Sequence, residues 1–122
     1  MKLKALIFIS LLSILAFPSC KKSKHNKLIG SWELLPQTVA DQNKTVIYKF
    51  DSENKLYRII DGVVTDTGDY EFKAEFVKYY IVIRNIDAYT DANYNIEKIN
   101  KQILILQCQS PYLRKEFTRH EE

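Results

Sequence analysis

KLYRIIDGVVTDTGDYEF, residues 55 to 72, decides the fold. Two short runs rich in β-branched and aromatic residues flank Asp61-Gly62, the dipeptide that tolerates positive φ in a two-residue type I′ hairpin. The second run places Tyr70 and Phe72 on one face, and its Gly68 marks a bulge or bend of the strand. A hairpin is therefore expected here, and the same grammar extends in both directions.

Upstream, GSWELL (30 to 35) alternates Trp32 and Leu34 against Ser31 and Glu33, and TVIYKF (45 to 50) alternates Val46, Tyr48 and Phe50 against Ile47 and Lys49. Downstream come YYIVIRN (79 to 85), NYNIEKI (93 to 99), QILILQC (102 to 108) and, beyond the break at Ser110-Pro111, YLRKEFTR (112 to 119). No segment holds a helical period over three turns, although residues 73 to 78 have the composition for one helical turn. Eight sequential strands with short connections predict an all-β fold, an antiparallel up-and-down meander closed into a small barrel, since closure removes exposed edges. A two-sheet sandwich is the competing arrangement, but it needs longer crossings than this chain offers. The strands are short and carry charges on their outer face, which argues against a barrel that crosses a membrane.

The N-terminus has a different character. Lys2 and Lys4 precede the apolar run ALIFISLLSILAF (5 to 17), too short to span a bilayer core of about 30 Å, and FPSC (17 to 20) follows. The block resembles the lipobox of bacterial lipoproteins, in the looser form found in Bacteroidetes-type bacteria. The resemblance implies a signal peptide over 1–19, acylation of Cys20, a lipidated basic tether over 20–27 and a barrel domain over 28–122. Acyl chains contribute about 0.8 kcal/mol per buried CH₂, enough to hold a small protein on a membrane. With Cys20 acylated, Cys108 is left without a partner, at the parity of Leu104 and Leu106, as a buried inert thiol.

The formal charge of +3 is unevenly spread. KKSKHNK (21 to 27) is basic, whereas from Leu28 onward 12 Lys and Arg face 15 Asp and Glu, a net of −3. This partition excludes a nucleic-acid surface and places the lysines near lipid head groups or in a solvated spacer.

LIGSWEL, GDYEF, NYNIEKINKQILIL and KEFTR together resemble the small lipocalin-like lipoproteins of Bacteroidetes, over about residues 28 to 119. The resemblance implies a calycin-type barrel in which the Gly30-x-Trp32 motif closes one end. A basic residue of the last strand lies across the indole, with Arg119 the better candidate and Arg114 the other. It also raises a ligand-binding expectation, in which inward Tyr48, Phe50, Tyr70, Phe72 and Tyr94 line a pocket for a small hydrophobic or amphipathic molecule. The alternative is that the same rings simply fill the barrel, leaving a structural or protein-interaction component of the cell envelope.

Chemistry is sparse. His25 falls in the tether and His120 in the tail, so neither is placed to act as a base or metal ligand inside the barrel. Asp61, Asp66 and Asp69 do not have the spacing of a calcium loop, and Asp87, Tyr89 and Asp91 belong to a solvated loop or to part of a mouth. No nucleophile elbow, phosphate loop or metal motif is present. The expectation is a non-catalytic protein without cofactor, held by its lipid at the periplasmic face of the outer membrane, where Lys21 after the cysteine favours the outer membrane over the inner.

Overall fold

Asp61 and Gly62 take φ of 50° and 83° and join the strands on either side in a tight hairpin. Asp61 holds the neighbouring strand too, its carboxylate accepting the Thr45 N–H at 2.9 Å. The computed structural model describes residues 21–109 and 112–121; the signal segment 1–19, the acylation candidate Cys20 and the Ser110-Pro111 break lie outside these described residues.

The strands are β1 (Gly30–Leu34), β2 (Val46–Phe50), β3 (Lys55–Ile60), β4 (Val63–Glu75), β5 (Lys78–Arg84), β6 (Ala92–Ile99), β7 (Ile103–Gln109) and β8 (Tyr112–His120). Each pairs antiparallel with the next, and β1 returns to β8, so the sheet is one closed eight-stranded up-and-down barrel. Period-two alternation turns one parity inward: Trp32, Tyr48, Phe50, Leu56, Tyr70, Phe72, Tyr94, Leu104, Leu106 and Phe117 are all buried in a single core.

Three expectations change. Residues 73 to 78 form no helical turn: Lys73 to Glu75 continue β4, and Phe76 and Val77 make the hairpin tip. Gly68 sits in regular register opposite Leu56, while the bulge falls between Arg58 and Ile59, with Thr65 the extra residue on β4. Glycine is required at 68 for space, because a Cβ there would lie 2.4 Å from the Arg84 carbonyl oxygen.

The third change concerns the tether. Residues 21–28 form a helix, α1, whose Leu28 is fully buried. Up-and-down topology sends alternate connections to opposite ends, so α1, the turn at 51–54, the 76–77 tip and the turn at 100–102 share one end. The 35–45 connection, which holds a 3₁₀ turn at Ala40–Asn43, shares the other with Asp61-Gly62 and the 86–91 loop.

Candidate functional site

At the α1 end, the helix leaves carbonyls without intrahelical partners, and the barrel supplies the donors. Trp32, opposite Arg119 in the β1–β8 register, donates its indole N–H to the Leu28 carbonyl at 2.8 Å. The Arg119 guanidinium lies 3.9 Å over the indole and donates to the carbonyls of Lys27 (2.5 Å) and Ile29 (3.2 Å). A cation at a helix C-terminus also opposes the macrodipole favourably. Gly30, at φ +128°, makes room for this, since a Cβ there would stand 2.5 Å from the guanidinium. Arg114 faces outward instead, bonded to Glu116 and Gln107.

His25 belongs to this end as well. Its ring stacks on Phe72 at 5.1 Å, and its Nε2 lies 3.0 Å from the Tyr70 hydroxyl. That hydroxyl donates to the Asp51 carbonyl at 2.6 Å, so Nε2 carries the hydrogen shared with Tyr70. Burial, then the Lys21 charge, lowers the His25 pKa, and burial followed by the Asp51 charge pushes Tyr70 up to about 12. The histidine thus packs against the barrel rather than lying free in a tether.

The aromatic residues expected to line a pocket mostly fill space. Phe50 meets Tyr70 edge-on at 5.0 Å, Phe72 stacks with Tyr79 at 5.8 Å and Tyr48 tilts on Phe117 at 5.1 Å. Tyr94 is fully buried and donates to the Thr90 carbonyl at 2.6 Å, and its burial raises its pKa. Of the five, Tyr48 lines the half-open cavity at the barrel mouth, of about 180 Å³.

That mouth is built around two inward cations. Arg58, opposite Tyr48 in the β2–β3 register, donates to Asp66 (2.9 Å), pairs with Asp87 (2.7 Å) and bonds the Thr90 hydroxyl (3.1 Å). The 86–91 loop is thereby drawn over part of the opening. Asp91 braces it from within, accepting the N–H groups of Asn85, Ile86 and Asp87, and Thr90 is buried. The second cation is Lys115, on the inward parity of β8 between Leu113 and Phe117, and only 8% exposed. No hydrogen bond or ion pair to its ammonium forms among the described residues, and burial lowers its pKa, with Asp87, Arg58 and Asp41 as weaker electrostatic influences.

The Arg58 cluster carries a pH dependence. The Thr65 hydroxyl and then Arg58 hold the Asp66 carboxyl below its usual range; for Asp87, burial acts upward but is outweighed by hydrogen bonds from Arg58 and Thr90. Both bind fewer protons folded than unfolded, so their contribution is whole above the unfolded value of about 4 and is lost as pH falls through the folded values. Urea midpoints are therefore expected to drop between about pH 5 and pH 3. The drop is expected to be smaller in Arg58→Met; equal drops would remove the cluster as its cause.

Sequence reasoning missed Arg58, Thr90, Lys115 and the docking of α1. A readable signal existed for the two cations, because each interrupts an inward parity that is otherwise apolar: Leu56 and Ile60 around Arg58, Leu113 and Phe117 around Lys115. Among the described residues no cluster of His, Cys, Asp and Glu could hold a metal ion, and no helix is long and apolar enough to cross a membrane. Compared with protein-family models, curated proteins and solved structures, the chain matches none.

Proposed function

We propose that this chain is an exported lipoprotein of the cell envelope, acylated at Cys20, whose barrel rests α1 end down on a membrane. The mouth then faces away as a non-catalytic binding module for a small molecule. The observation that carries the reading is what gathers at the α1 end. Residue 21 follows directly on Cys20, and helical residues 21–28 carry Lys21, Lys22, Lys24 and Lys27 with no acidic residue. At the same end the β4–β5 tip presents Phe76 and Val77, 95% and 89% exposed.

Phe76 holds φ at 55°, a conformation poorly suited to a bulky side chain. Local preference does not explain an exposed phenylalanine there; insertion into the interface of a bilayer does, beside lysines that each add about 1 kcal/mol near anionic lipid. Rings packed on one another inside the barrel narrow the ligand reading, and the mouth cavity is where a small molecule fits.

The test uses full-length protein in anionic vesicles, labelled with an environment-sensitive fluorophore through Phe76→Cys or, separately, Tyr89→Cys; buried Cys108 is protected from labelling. Blue-shifted, enhanced emission is expected at 76 and aqueous emission at 89. Aqueous emission at both would sink the placement, and mass spectrometry without acyl mass on Cys20 would sink the anchor.

A second reading has its own observation. The rim of the mouth exposes Val39, Val63, Val64, Tyr89 and Tyr112, which suits contact with a protein partner held above the membrane. Crosslinking from the Tyr89→Cys position in cells separates it from small-molecule binding.

A further inference from the structure

Lys115 is buried along its length, but its ammonium reaches the half-open mouth cavity, since no buried side-chain nitrogen among the described residues lacks a partner. An ammonium that bonds no protein group keeps its three donors for water or for a ligand. Arg58, its neighbour across the mouth, already has two carboxylates, Asp66 and Asp87. Lys115 bonds neither and lines the same half-open cavity, as do Lys44 and Asp41. These charges cancel in sum, but the Lys115 ammonium bonds no protein group among the described residues and faces a half-enclosed space.

The remaining walls say what would satisfy it. Leu34, Val46 and Ile60 provide an apolar side, and the Tyr48 hydroxyl lies beside Arg58 and Thr90. A cavity of about 150 Å³ with apolar walls takes a benzene ring, so about 180 Å³ suits a body of that size with its head group against the lysine. An ammonium with uncommitted donors suits an anionic acceptor, and an apolar wall calls for an organic body. We infer that the mouth is a binding site for a small monocarboxylate, its carboxylate paired with Lys115 and its apolar body against Leu34, Val46 and Ile60. The inference deepens the binding-module reading by naming its ligand class and rests on that reading.

The experiment titrates the purified full chain, in a non-ionic detergent, with benzoate, benzyl alcohol and inorganic phosphate. Calorimetry gives the affinities and backbone amide shifts give the location. Benzoate is expected to bind at least about tenfold tighter than benzyl alcohol, the ratio that one charge-assisted hydrogen bond supplies. In Lys115→Met that preference disappears, and the barrel stays folded because an unpartnered charge is replaced by an apolar chain of similar length. In the wild type, amides of Leu106 and Lys115, register partners on β7 and β8, shift with benzoate; this reading stands even where the variant fails to fold. Equal binding of benzoate and benzyl alcohol overturns the inference, as does an unchanged benzoate affinity in the variant. Tighter binding of phosphate, or amide shifts confined to the α1 end, overturns it as well. The vesicle placement of residue 76 does not depend on benzoate, so failure of the titration and failure of the membrane placement are told apart.

Discussion

Replacing Trp32 with alanine is expected to lower the free energy of unfolding by about 3 to 5 kcal/mol, the range for removing a fully buried large aromatic side chain. Three losses coincide there. The indole is fully buried, its N–H satisfies the Leu28 carbonyl and its face carries the Arg119 guanidinium. Alanine leaves a cavity, an orphaned carbonyl and a cation over empty space. Urea denaturation followed by far-UV circular dichroism measures the change, since the variant has no tryptophan to report fluorescence. Trp32→Phe keeps most of the volume but not the donor, and is expected to fall between the two. A loss below about 1 kcal/mol in the alanine variant would mean that the α1 end does not depend on its indole.

Leu28→Ala is the second large effect, about 2 to 5 kcal/mol for a buried leucine, but its consequence differs in kind. Leu28 is the last residue of α1 and fully buried, so it fastens the helix to the barrel. Its truncation is expected to free α1 while β1 to β8 stay closed, which amide hydrogen exchange reads as lost protection near residue 29 without loss in the strands. His25 offers an independent gauge: burial holds its pKa below the ordinary value, and release of the helix lets it rise. A histidine with a depressed folded pKa binds fewer protons when docked, so docking is strongest above its unfolded value of about 6.5 and weakens as pH falls. An unchanged His25 titration in the variant would show that the helix remains seated without Leu28.

The barrel itself was legible because every strand obeys one rule. Alternating residues in TVIYKF and YLRKEFTR, together with Asp61-Gly62, fix both the element type and the facing side of each chain segment. Closure between β1 and β8 followed from counting strands and from the need to cover their edges. The tether was misread for an equally physical reason. KKSKHNKL is too short and too polar to carry a helical period, and it is helical because Trp32 and Arg119 satisfy its final carbonyls, donors 4 and 92 residues away. Aromatic residues were read correctly as inward, but whether inward rings enclose a chamber or pack on one another depends on contacts such as Phe50 with Tyr70, which no period encodes. The mouth was hidden because Arg58 and Lys115 look like ordinary surface charges until their parity is compared with that of their neighbours.

The β1–β8 seam has a consequence for how the molecule comes to exist. Ser31 pairs with His120 and Trp32 with Arg119, so the first strand finds its second partner only after nearly the whole chain has been made. Every other pairing joins neighbours in sequence and can form early; this one closes a loop of almost ninety residues and is entropically the slowest to win. Until β8 arrives, β1 and β7 are open edges and the rings inside are wet. The nascent chain therefore stays open until β8 is made, and it closes cooperatively once β8 pairs with β1.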